Sequence, residues 1–195
     1  MNSKESSRAE IEKLIARAKF HADEALDVGH PVTPTLYLHC QNGTTTGYDL
    51  GKMIGNEGAL ATNLRLMCVA EGADAMVLCG EAWMMREKQR DQNNWYAPAT
   101  EPSEREEVVI LLAESREESF QRVLPIIRMD DEQFFRFAEE FEIHNPRLVN
   151  QWGKCLPKEI PDEHERKRAE SILESQGIFP INGKRRERGR SLAWF

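Results

Sequence analysis

The sequence predicts an α+β protein, with a largely antiparallel sheet of four to five strands packed with helices and a helical C-terminal third. Three observations predict it. The run from Asp74 to Met85 is apolar at both alternating positions, which marks a strand buried on both faces. Two further runs, Glu107–Glu114 and Phe120–Met129, are separated by a charged turn too short for a crossover helix, so they should pair antiparallel. Helical spacing of apolar residues flanks this sheet region on the N-terminal side, and the composition turns mainly charged after Pro157.

Taken in order, Ser7-Arg8-Ala9-Glu10 reads as a capping box, and Ile11, Leu14, Ile15, Ala18, Ala22 and Ala25 follow at helical spacing until Gly29. His21 falls inside this helix without a second ligand-type residue one turn away, which makes it a structural residue. Pro31 and Pro34 break the chain. Thr35–Cys40 then reads as a strand, Gln41-Asn42-Gly43 as a turn, and Thr44–Asp49 as the returning strand of a hairpin. Glycines at 47, 51, 55 and 58 lead to a helix from Ala59 to Ala70, closed by Gly72 and apolar around most of its circumference. Gly51-Lys52 falls short of a phosphate loop: Gly47 is one residue too close, and Met53 stands where a Ser or Thr is required.

The strand Glu107–Glu114 is β-branched and apolar, with acidic residues at both ends. Pro125 cannot donate to a ladder, so Phe120–Met129 is expected at a sheet edge or a bulge. Asp130-Asp131 should open a helix with an aromatic stripe of Phe134, Phe137, Ala138 and Phe141. Asn145-Pro146 should start a short helix carrying Leu148, Val149 and Trp152. These elements divide the chain into an α+β core over 1–156, a peripheral charged helix over 157–180 and a basic tail over 181–195.

Lys plus Arg number 26 against 33 Asp plus Glu, a net charge of −7, which argues against a wholly nucleic-acid-binding surface. The segment Ile181–Phe195 runs the other way: five basic residues against one acid give a local +4, leaving −11 on the remainder. No run approaches the ~20 apolar residues of a membrane helix, and the polar N-terminus lacks a signal-peptide core, so a cytoplasmic location is expected. Cys40, Cys68, Cys79 and Cys155 form no CxxC and are expected to be reduced core residues. No metal-ligand spacing or cofactor loop is present, so neither metal nor cofactor is expected.

Two sets of residues carry functional candidates. Glu81, placed inside an apolar strand, should be ion-paired with Arg86, Arg105 or Arg122, or exposed beyond the end of a short strand, or gathered with Asp49 and Glu114 to hold a divalent cation. In the latter case the chain would be a metal-dependent hydrolase or nuclease, with the basic tail holding the phosphodiester. The second set is for recognition. Trp95 and Tyr96 sit in a polar connection of about twenty residues, long for a structureless loop. Lys184, Arg185, Arg186, Arg188 and Arg190, with Trp194 and Phe195, form a tail that reads as a disordered, solubilising end or as one suited to docking on an acidic surface, including that of a second copy, or to nucleic-acid phosphates.

The segment Gly80-Glu81-Ala82-Trp83, the polar loop and Arg105-Glu106-Glu107-Val108-Val109 resemble a pattern in small uncharacterised bacterial and phage proteins, over about a quarter of the chain. The resemblance implies a phage or mobile-element origin and carries no activity. The favoured reading is therefore a non-enzymatic cytoplasmic binding or regulatory protein acting through protein–protein interaction, with a second copy of the chain among the candidate partners. The metal-dependent enzyme is the alternative.

Overall fold

A computed structural model of the protein describes residues 3–51, 53, 57–85, 105–129, 135–143 and 154–181. Its elements are α1 (Ser3–Asp27), β1 (Thr35–Cys40), β2 (Thr45–Asp49), α2 (Glu57–Glu71), β3 (Ala73–Met85), β4 (Arg105–Ser115), β5 (Ser119–Arg128), β6 (Phe135–Phe137), β7 (Phe141–Ile143) and α3 (Glu163–Ser175). The strands form one seven-stranded sheet in the order β2-β1-β3-β4-β5-β6, with β7 also on β5. Every pairing is antiparallel. The α+β class holds, and the sheet exceeds the expected four to five strands.

Alternation along β1 and β3 sorts their side chains between two cores. Tyr37, Ala75, Val77 and Cys79 face α1, which meets them with Ile11, Leu14, Ile15, Ala18, Ala22 and Leu26. Leu36, Leu38, Met76 and Leu78 face the other way, against Leu60, Leu64, Met67 and Cys68 of α2. Each fully buried Leu, Ile or Val contributes about 1.5–3 kcal/mol, so these two layers dominate the stability. The nearly all-round apolarity of α2 has a direct cause: α3 lies on its outer side and adds Leu173 to the same core. Left-handed glycines close the three described helices, Gly29 (φ 72°), Gly72 (φ 59°) and Gly177 (φ 73°).

Three expectations are corrected. Helix α1 already includes Ser3, so Ser7 is interior rather than a cap, and its hydroxyl instead donates to Glu117 Oε2 at 2.6 Å. The aromatic stripe expected as a helix is two short strands, β6 and β7. Phe135 and Phe137, two apart, pack against the α1-side core, so the period of two prevails over the period of three and four. Finally, β5 is not an edge: β4 pairs with one side of it and β6 and β7 with the other. Pro125 is tolerated because the N–H and C=O of a strand residue point the same way. The Pro125 carbonyl accepts from Ala138 N–H (2.9 Å), so the missing donor falls where β6 gives way to β7 rather than in the β4 ladder. The short helix expected after Asn145 lies outside the described residues.

An ion-pair network ties α1 to the β5 side of the sheet. The Arg122 guanidinium, buried on the α1 face, donates to both oxygens of Glu12 (2.8 Å each) and to Glu142. Arg8 joins Glu12 and Glu142 and lies over the Phe120 ring, 3.9 Å from its centroid. The Arg122 hydrogen bonds hold the Glu12 carboxyl below its ordinary 4.5. Burial pushes Glu142 up, yet its bonds to Arg122 and Arg8 more than offset this, and it too ends below 4.5. Carboxyls lowered on folding contribute stability that is complete above 4.5 and erodes as the pH falls through their folded values. Arg122→Met is expected to cost about 2 kcal/mol at neutral pH and to flatten the loss of stability below pH 4.5, as read from urea unfolding across that range. Equal acid sensitivity in the variant and the parent would show that the network is not what titrates.

Candidate functional site

The register decides the fate of the three candidate carboxylates. Glu114 pairs with Met76 and Glu81 with Val109, so five positions of β3, roughly 17 Å, separate them along the sheet. They also face opposite ways: Glu81 follows Cys79 on the α1 side, while Glu114 follows Leu112 on the α2 side. Asp49 stands at the exposed end of β2 and accepts from Gly51 N–H at 2.8 Å, completing a turn. Thr35 pairs with both Asp49 and Cys79, so two strand spacings, roughly 10 Å, separate Asp49 from β3. The three do not meet. Among the described residues no group of three His, Cys, Asp or Glu side chains is placed to hold a metal ion.

Each carboxylate has a local task instead. Glu81 Oε2 accepts from Val32 N–H at 3.0 Å, pinning the α1–β1 connection to β3. Of the three expected ion-pair partners, Arg122 serves Glu12 and Glu142 instead, and Arg86 lies outside the described residues. Beside Glu81, Glu107 takes the side-on fork of Arg128, the main reason its carboxyl stays below the ordinary range. Glu114 is buried and receives Cys155 N–H (3.1 Å) and Leu156 N–H (3.0 Å), fastening the chain before α3 to the sheet. Burial pushes its carboxyl above 4.5 and the two backbone donors only partly offset that.

The four cysteines are free and buried, as their scatter through apolar runs suggests. Burial raises all of their thiols, Cys155 to about 11 and Cys79 to about 12, which removes them as nucleophiles.

The geometry singles out a different place. Strand β1 accompanies β3 only as far as Cys79, whereas β3 and β4 stay paired to Met85 and Arg105. Six residues of β3, Gly80–Met85, therefore run past β1 over about 20 Å. Pro34 packs on Gly80, and Val32 reaches Glu81. From Ala82 to Met85 no described strand occupies that side, and the stretch has no lysine or proline to deter pairing. Trp83, on the α1 face of this extension, is 64% exposed. The joining segment 86–104, with Trp95 and Tyr96, lies outside the described residues, as do Lys184, Arg185, Arg186, Arg188, Arg190, Trp194 and Phe195 of the tail. The tail's point of departure is described: Ile181 N–H donates to Gly47 C=O (2.7 Å) on the outer strand β2.

No protein-family model, no curated protein and no solved structure matches this chain. Among the described residues no helix is long and apolar enough to cross a membrane.

Sequence reading named Glu81 and passed over Trp83, two residues along. Alternation puts Trp83 on the α1 face with Val77 and Cys79, but only the end of β1 pairing at Thr35 uncovers it. For Glu114 the expected behaviour is structural. Glu114→Ala strands two backbone donors and is expected to cost about 1–3 kcal/mol. Glu114→Gln keeps one acceptor oxygen and should cost less. Because the folded carboxyl is raised, its contribution is greatest below 4.5 and declines as the pH climbs through the folded value, and both variants should lack that decline. Thermal melts across pH would check this. A melting temperature of the parent protein that drops on adding chelator would instead assign Glu114 to a metal.

Proposed function

We propose that the chain is a non-enzymatic, cytoplasmic binding protein of phage or mobile-element origin, and that it engages a protein partner through the extended end of β3 and β4. The observation that supports this reading is Trp83, exposed on a strand extension whose outer edge from Ala82 to Met85 has no described strand beside it. A tryptophan offers a large rigid contact area, and tryptophans are prominent among residues that dominate binding energy. A free strand edge supplies backbone donors and acceptors for an added strand. In the sequence, Trp95 and Tyr96 belong to the segment 86–104 that connects β3 to β4.

Charge indicates the kind of partner. With −11 on the chain outside the tail, a basic protein surface is favoured, and complementarity of this kind raises association rate and selectivity. The carboxylate alternative loses its motivation, since Asp49, Glu81 and Glu114 are held apart by the register.

A photo-crosslinking amino acid placed at position 83, with a second at Phe20 on α1 as control, tests the surface in the native host. Phe20 is 63% exposed and so matches Trp83 in accessibility. One discrete adduct at 83, absent at 20 and displaced by excess parent protein, is the expected result. Trp83→Ala should weaken binding of that companion at least about tenfold while shifting stability by no more than about 0.5 kcal/mol, as for other exposed sites. Equal labelling at both positions, or competition by Trp83→Ala as efficient as by the parent, would remove this surface from consideration.

A further inference from the structure

At the opposite end of the sheet from the β3–β4 extension, His39 is held at both of its ring nitrogens. Nδ1 lies 2.7 Å from Asp74 Oδ1, at the start of β3, and Nε2 lies 3.1 Å from Glu10 Oε2, on α1. The side chain is 16% exposed, so water competes little for either nitrogen. Across the ladders His39 faces Thr45 on β2 and Ala75 on β3, neither of which titrates. The other charged groups on this side are Lys13, bonded to Glu10 at 2.9 Å, and Arg116 and Glu117 of the β4–β5 turn, which line a recess with Glu10 and Asp74.

A neutral imidazole carries one N–H and one bare nitrogen, so it donates to one carboxylate and turns a lone pair toward the other. Both contacts are attractive together only in the imidazolium, which donates from each nitrogen. The two carboxylates do not depend on the ring equally. Glu10 keeps Lys13, whereas Asp74 has no other hydrogen-bond or ion-pair partner among the described residues. When the ring gives up a proton, the shorter bond to Asp74 is therefore the one to retain, and the bond to α1 is the one released.

We infer that His39 is a proton-operated clasp between α1 and the sheet, closed when the imidazole is charged and opened on the α1 side when the ring becomes neutral. The Lys13 bond first, and the charge of His39 after it, hold the Glu10 carboxyl below its ordinary 4.5 against the effect of burial, so Glu10 is ready to pair above that value. Histidine is the side chain that changes charge between about pH 5 and 8, and the clasp loosens as the pH rises through that range. The neighbouring bonds of α1 run the other way. Ser7 with Glu117 and Arg8 with Glu142 involve no histidine, and these carboxyls, held below 4.5, lose their part only in acid. Attachment of this half of α1 is thus bounded on the acid side by carboxylates and on the basic side by one imidazole. The clasp stands at the other end of β3 from Trp83 and does not rest on the proposed partner.

Amide hydrogen exchange along α1 of the full chain, corrected for the intrinsic pH dependence of exchange, tests the clasp between about pH 5 and about pH 9. Protection over residues 7–13 is expected to fall at least about threefold across this range relative to residues 21–27, at the far end of the same helix. His39→Gln, whose amide does not titrate, and Glu10→Gln, which leaves the ring to Asp74, should each remove that fall, while a parent-like profile over residues 21–27 shows that the variant is folded. Protection over residues 7–13 that tracks residues 21–27 at every pH in the parent would overturn the inference. A fall that persists undiminished in His39→Gln would do the same.

Discussion

Burial of both faces of β3 and β4 is the constraint from which the rest of the structure follows. A strand that is apolar on both sides cannot leave either face to water, so a helix must cover each. Helix α1 covers one side with Ile11, Leu14, Ile15, Ala18, Ala22 and Leu26, and α2 covers the other with Leu60, Leu64, Met67 and Cys68. The second helix is then itself apolar on its outer side, and α3 with the chain before it must complete that layer through Cys155, Leu156 and Leu173. The segment 154–181 is thus attached to the rest by the requirement to finish a core.

Polar groups inside this arrangement serve to fix position. Arg122 bridges α1 and β7 through Glu12 and Glu142, and Glu114 receives the backbone of Cys155 and Leu156. Tyr48 O–H donates to Glu71 at 2.6 Å, locking β2 against the end of α2. In each case a charged or hydroxyl group joins elements distant in sequence, and its loss would leave a partner dehydrated and unbonded. The functional candidate is the place where the same accounting stays open: an exposed tryptophan on a stretch of β3 that β4 accompanies on one side and no described strand on the other.

The errors of sequence reading share one cause. Ser7-Arg8-Ala9-Glu10 satisfies the capping pattern locally, yet the helix continues upstream because the chain before it is also compatible with helix. Phe134, Phe137 and Phe141 fit a helical stripe, but Phe135 and Phe137 equally fit a strand, and the free side of β5 selects the strand. Pro125 argues for an edge until the direction of its missing donor is known. In all three, two local patterns coexist in the residues, and the neighbouring element chooses between them.

By itself the sequence determined the central strands, the covering helices α1 and α2, the β1–β2 hairpin and the α+β class, because alternation and helical period are properties of consecutive residues. It also indicated that the cysteines are core residues, since three of the four lie within apolar runs and none forms a CxxC pair. The tertiary structure decided which residues stand together. Strand register put Glu81 and Glu114 on opposite faces, and the end of β1 at Thr35 uncovered Trp83. Packing brought Glu12 of α1, Arg122 of β5 and Glu142 of β7 into one ion-pair network. Register and packing depend on contacts between distant segments, and no periodicity in a single chain records them.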